Sequence, residues 1–263
     1  MPFGIAQIGK AFRNEIAPRD FLFRVRELEQ MEVEYFIRPD EWKEQFDIWL
    51  EEIRTWNDSI GLSRDDIREY EVPKGDLAHY SERTVDFEFN FPGKGFAELS
   101  GFAYRTDHDL RKHTAESGEN LSYTEGDGSM FIPHVLEPSL GVGRAFTAVL
   151  CSAYREDEMG GETRVYLKLP HHLAPYRVMV SPLLKNKPEL VEKAREVFLM
   201  LKKEFGNVAW DDNGNVGKRY RRQDEIGTPC CVTVDFETLE GDLKDTVTVR
   251  DRDSGEQNRV AIT

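Results

Sequence analysis

Cysteine is scarce in this chain. Three thiols, Cys151, Cys230 and Cys231, occur among 263 residues. They offer no zinc spacing with histidine and no disulfide framework, because the adjacent pair is badly placed to bridge itself. Free thiols in a reducing cytosol are the expectation. No apolar run is long enough to cross a bilayer, and Met1-Pro2-Phe3 leads straight into "GIAQIGKAF" without a charged-then-apolar leader. The expected protein has no membrane partner and a cytoplasmic location. Positive charge is also in deficit: 35 Lys and Arg face 49 Asp and Glu, a net charge of −14. That excludes a general nucleic-acid coat while leaving room for a local basic groove. A glycine-rich phosphate loop is absent too. "GNVGK" has Asp212 where the first glycine belongs and Arg219 after the lysine.

What is present is a mixture of 39% apolar and 32% charged residues, enough for one large or two modest domains. From Gly9 to Phe36 the chain reads "GKAFRNEIAPRDFLFRVRELEQMEVEYF". Side chains alternate across a strand. Arg13 and Glu15 are therefore expected on one face, with Phe12, Asn14 and Ile16 on the other. Ala17 to Asp20 carries turn chemistry, and a second run follows from Phe23 to Phe36. Its odd positions include apolar Phe23, Val25, Met31, Val33 and Tyr35; its even positions, Arg24, Arg26, Leu28, Gln30, Glu32 and Glu34, are polar or charged except Leu28. The reading is an antiparallel hairpin with a connection of about six residues. Its charged face suits two roles, a solvated surface laced with ion pairs or a floor that grips an anion through guanidiniums.

Farther on, Trp42, Phe46, Trp49, Leu50, Ile53 and Ile60 recur at helical spacing between Asp40 and Gly61, a stripe suited to core contact. "RTVDFEFNFP" and "FAELSGFAYRTDHDL" read as strands flanking a glycine turn. The stretch from Thr114 to Ser129 reads as an exposed excursion, "MFIPHVLEPSLGVG" as a strand and "RAFTAVLCSAYRED" as a buried helix. Pro170 and Pro175 bracket a boundary, and the tandem His171-His172 fits a linker better than a metal site. Beyond it an α/β rhythm begins, with "NKPELVEKAREVFLMLKKEFG" as a helix that has Pro188 in its first turn and Gly206 past its end. The expected domains are 1–170 and 171–263. "GKRYRRQDE", from Gly217 to Glu225, is the strongest basic cluster, read either as a solvated helix start or as a phosphate contact.

Taken together, these segments resemble the class II aminoacyl-tRNA synthetases, and among them the dimeric glycyl-tRNA synthetases. "FRNEI…FRVRELEQMEVEYF" is similar to motif 2 of the family, and "PHVLEPSLGVGR" to motif 3 with its glycine-specific extension. "AELSGFAYRTDHDL" resembles the strand that ends in a second ATP-contacting arginine. "GNVGKRYRRQDEIGTPCCVTVDFETL" and "DTVTVRDRDSGEQNRV" resemble the anticodon-binding domain.

The resemblance implies an α/β (α+β) architecture: an antiparallel class II synthetase catalytic sheet flanked by helices, then a small doubly wound α/β anticodon-binding domain. It implies a glycine–tRNA ligase that uses ATP and Mg²⁺, with glycine and tRNA(Gly) as partners. Arg13, Glu15 and Arg144 are the implied catalytic residues. ATP would be held by Arg13, Glu15, Arg24, Leu28, Glu98, Arg105 and Arg144, and glycine by Arg13, Glu32, Glu137 and Ser139. Glu98 and Glu137 would stand on or beside the metal, and Lys218, Arg219, Arg221 and Arg222 would touch tRNA. Leu28 replaces the family's usual adenine-stacking phenylalanine, and Gly143 its usual aspartate. Motif 1, which builds the family's homodimer, and the segment upstream of motif 2 are missing from the sequence. An incomplete copy is therefore expected, and a catalytically inactive tRNA- or partner-binding protein is the alternative.

Overall fold

The computed structural model describes all 263 residues, which divide into two compact units, Met1–Ser152 and Ala153–Thr263. In the first, β1 (Phe3–Phe12) and β2 (Glu27–Ile37) pair antiparallel from Phe3↔Phe36 to Phe12↔Glu27. With β3 (Ile67–Glu71), β4 (Arg83–Phe91), β5 (Gly95–Thr106) and β8 (His134–Gly141) they form a six-stranded sheet of order β1-β2-β8-β5-β4-β3. Every neighbouring pair in it is antiparallel. A two-stranded ribbon, β6 (Tyr123–Thr124) with β7 (Met130–Phe131), interrupts the excursion that follows α2 (His108–Ser117).

The connection between β1 and β2 is longer than about six residues. Pairing ends at Phe12↔Glu27, and the segment 13–26 is a structured loop. The Arg13 amide still reaches the Arg26 carbonyl at 2.9 Å, but Asp20 (φ 57°) and Phe21 (φ 51°) enter the left-handed region and a short helical turn follows at Phe21–Phe23. Arg13 and Glu15 therefore leave strand geometry, and alternation no longer sets their direction. The period-2 reading missed this because turn residues, not side-chain alternation, direct the chain here.

Helix α1 (Trp42–Ser59) covers one face of the sheet with the expected stripe. Phe46 and Leu50 are buried with Ile37, Val85, Phe87, Phe102, Tyr104 and Leu136, and Trp42, Trp49 and Ile53 pack around them. Trp42 stacks on Tyr104 at 4.4 Å, and Phe46 meets Phe102 at 4.2 Å. The odd residues of β2 turn toward this core, Ile37 within it and Tyr35 packed against it. The even residues are thereby left on the opposite face. Helix α3 (Val142–Ala153) follows β8 directly, and its Ala145 and Ala148 join a second cluster with Phe89, Phe91 and Leu99.

The second unit opens with the hairpin β9 (Tyr154–Met159) and β10 (Glu162–Leu167). A five-stranded sheet follows, built from β11 (Val178–Pro182), β12 (Val208–Trp210), β13 (Cys230–Val234), β14 (Thr246–Asp251) and β15 (Gln257–Ala261). Its order is β12-β11-β13-β14-β15, with β11 parallel to β12 and β13 and the last two pairings antiparallel. Helix α4 (Pro188–Phe205) has Pro188 at its start and Gly206 (φ 73°) just past its end. It packs on Val178 and Val180, whereas Met179 turns to the Tyr220 side, on α5 (Val216–Glu225). Helices thus cover both faces, as in a doubly wound unit. A short helix, α6 (Phe236–Leu239), is closed by an Asp235 capping box.

The compact units divide at Ser152/Ala153, ahead of the expected 170/171 boundary, and the β9–β10 hairpin is tied into the second unit by Arg164 among others. Arg164 on β10 is buried in the second unit, where it donates to Asp224 of α5 at 3.3 Å and to Asp157 of β9 at 2.8 Å. Arg250 of β14 grips Asp224 from the other side at 2.8 and 2.9 Å.

Candidate active site

On the sheet face opposite α1, a cavity of about 270 Å³ lies beside the 13–26 loop. Arg13, Glu15, Arg24, Leu28, Glu98, Ser139 and Arg144, all expected site residues, line it. The loop supplies the first three, β2 supplies Leu28, β5 Glu98, β8 Ser139 and α3 Arg144. Most of the cations are already held. Arg24 Nε donates to Glu15 Oε2 at 2.7 Å, and Arg144 Nη1 donates to the Glu98 carbonyl at 2.8 Å and its carboxylate at 3.0 Å. Arg26 fixes the loop by donating to the Glu15 carbonyl at 2.8 Å. Arg13 is exposed and makes no ion pair, the one such cation in the lining. A bare guanidinium facing a cavity is a seat for an anion.

Beside the cavity a small polar group spans β2 and β8, in register at Glu32↔Ser139. Gln30 Nε2 donates to Ser139 Oγ at 2.8 Å and to Glu32, and Ser139 Oγ donates to Glu32 Oε1 at 3.2 Å. Glu32 is thus oriented by two donors, an arrangement that suits a carboxylate to a cationic ligand.

Two expected residues lie elsewhere. Arg105 is not in the cavity. Its Nη1 donates to both Glu137 oxygens at 2.8 and 2.7 Å, its Nε to Asp109 at 2.8 Å, and its guanidinium lies 4.0 Å from the centre of the Tyr80 ring. Arg105, expected to contact the nucleotide, is here the counter-charge of Glu137. The two carboxylates expected on or beside the metal stand apart. Glu137 pairs across from Ala103 on β5, five residues along that strand from Glu98, or roughly 16 Å at strand rise. Glu98 and Glu137 cannot share one ion. No cluster of three His, Cys, Asp or Glu side chains suited to a metal occurs.

The basic cluster of α5 also departs from expectation. Arg219 is buried, donating to Ser181 Oγ and to the Pro182, Asp212 and Gly214 carbonyls between 2.5 and 3.1 Å. It pins the start of α5 to the end of β11 and cannot meet a phosphate. Arg222 is held by Asp211 at 2.7 Å, and Arg221 lies 3.7 Å from Glu162. Lys218 alone of the four is exposed.

Several site residues escaped the sequence reading. Gln30 and Phe23 line the cavity. Asp86 on β4 pairs with Gly101, the neighbour of Ser139 across β5, and its carboxyl is pushed up to about 6 by burial and then by Glu98 and Glu88. Glu34, next along the even face from Glu32, is raised to about 7 by burial and then by Glu137. The even-face pattern of β2 already carried Gln30 and Glu34.

A pH dependence follows for Glu34. The unfolded carboxyl loses its proton near 4.5, the folded one near 7, so the folded chain binds more protons in between and stability falls as pH rises through that window. Glu34→Gln removes this loss. In urea titrations the variant is expected to gain stability over the parent between about pH 5 and about pH 8. A constant difference across that range would contradict the assignment.

Comparison with known proteins places the chain in a family. Residues 1–173 match the family described as tRNA synthetase class II core domain (G, H, P, S and T), and residues 177–263 match the anticodon binding domain. The chain belongs to the class II tRNA synthetase family. Its relatives within that family include the glycine–tRNA ligases of Corynebacterium efficiens, 51% identical over 269 residues, and Thermobifida fusca, 50% over 270. The glycine–tRNA ligase of Thermus thermophilus is 48% identical over 286 residues. The alignments cover 99–100% of this chain but only 56–57% of each relative, so this synthetase chain spans a little over half their length. No helix in it is long and apolar enough to cross a membrane.

Proposed function

We propose that this chain forms the nucleotide- and glycine-handling part of a glycine–tRNA ligase, with a cytoplasmic role in protein synthesis. In the first step a glycine carboxylate oxygen attacks the α-phosphorus of ATP and pyrophosphate leaves. In the second, a terminal ribose hydroxyl of tRNA(Gly) takes the glycyl group from the adenylate and AMP leaves. Two anions must meet in the first step, so catalysis is mainly positioning and neutralising negative charge. The observation that carries the reading is the unpaired Arg13 guanidinium in a cavity flanked by the oriented carboxylate of Glu32.

In this reading Arg13 holds the glycine carboxylate and the α-phosphate together, and Glu32 and Ser139 receive the glycine ammonium. Leu28 and Glu15 serve the adenosine end, and Arg24 and Arg144 the outer phosphates. Glu98, at the cavity wall, fits a magnesium ion, which takes one or two carboxylates together with phosphate oxygens and would offset charge on the departing pyrophosphate. Lys218 is the side chain of α5 open to a tRNA phosphate.

The test is exchange of labelled pyrophosphate into ATP by the 263-residue chain. Exchange that requires glycine and is not supported by alanine supports the reading. Absence of exchange, with tRNA(Gly) binding retained, would favour a catalytically silent binding protein.

A further inference from the structure

The turn between β4 and β5 carries a lysine whose surroundings suit it to a task beyond folding. Gly93 (φ 75°) and Gly95 (φ 80°) flank Lys94, whose amide closes the turn on the Phe91 carbonyl at 3.0 Å. Phe91 is buried and meets Phe23 edge-on at 4.8 Å, so the turn and the 13–26 loop are locked together. Phe23 lines the cavity. Its ring carries two cations at once: the Lys94 ammonium 4.5 Å from the ring centre and the Arg144 guanidinium 5.3 Å from it. They are therefore less than about 10 Å apart, and their mutual repulsion is offset by the ring that both approach.

The carboxylate nearest Lys94 is Asp20, at 3.7 Å, beyond hydrogen-bond reach, with both side chains more than a third exposed. Such a pair contributes little and releases its lysine readily. Arg144, by contrast, is fixed by Glu98 and the Phe23 carbonyl. The arrangement is one fixed and one weakly held cation on a shared ring, Phe23, which lines the cavity. A compact ammonium on a flexible stem suits a terminal phosphate whose position changes as it leaves.

Resting on the proposed function, we infer that Lys94 binds the outermost phosphate of the nucleotide and follows the pyrophosphate as it departs, exchanging Asp20 for phosphate oxygens. The test is calorimetric titration of the full 263-residue chain with ATP, AMP and inorganic pyrophosphate, for the parent, Lys94→Ala and Lys94→Arg. The expected result is that Lys94→Ala weakens ATP and pyrophosphate about five- to tenfold, the size of one charge-assisted contact at a wet rim, and leaves AMP within about twofold. Lys94→Arg should restore most of the loss. Unchanged ATP affinity in Lys94→Ala overturns the inference. So does an equal loss for ATP and AMP, which would mark a structural role through Phe23. If the parent binds none of the three, the nucleotide-site reading itself falls.

Discussion

Replacing Arg13 by alanine is expected to lower glycine-dependent pyrophosphate exchange by about 10²–10³-fold, the loss typical of removing one preorganised group that meets charge in the transition state. The reason lies in which cations the cavity leaves open. Arg24 is neutralised by Glu15, and Arg144 by Glu98. Arg13 is unpaired, yet its backbone is fixed by its amide bond to the Arg26 carbonyl just beyond the β1–β2 ladder. It therefore brings full charge to an incoming anion with little reorganisation. Lysine at this position should recover only part of the rate, because a point charge cannot bridge carboxylate and phosphate as a planar fork does. A loss below about fivefold for Arg13→Ala would move the reacting centre elsewhere in the cavity.

The second large effect is on stability. Asp224→Ala should destabilise the second unit by about 3–5 kcal/mol, since it strands the buried Arg250 guanidinium and removes one of the two carboxylates that hold Arg164. Asp224 is 2% exposed, Arg164 1% and Arg250 5%. Arg250 grips both Asp224 oxygens, and Arg164 adds a third bond. Arg164 keeps Asp157, but Arg250 has no second carboxylate. Amide hydrogen exchange of β13 and β14 measures the loss directly. A change under about 1 kcal/mol would mean that solvent reaches these groups after truncation.

The limits of the sequence reading have physical causes. Period-2 alternation in β2 was reliable, because one face packs on α1 and a register slip would bury Glu32 and Glu34. The α1 stripe was equally legible, with Phe46 and Leu50 at the core. The full extent of the 13–26 loop was not: the sequence marks a turn at Ala17 to Asp20, but the left-handed Phe21 that follows carries no turn signal of its own. Arg105 and Glu137 looked like ligand contacts, yet each is the other's partner across β5 and β8, a pairing set by register rather than by local sequence. Arg219 shows the same limit. A basic run reads as solvated, but helix periodicity turns one member inward, where carbonyls receive it.

The hairpin Tyr154–Leu167 has a practical bearing on work with the smaller half. A recombinant piece begun at residue 177, where the anticodon-domain match starts, would discard Arg164 and leave one side of Asp224 uncovered. Begun at Ala153, it retains the lid that seals this acid, and is the better starting material for RNA-binding measurements.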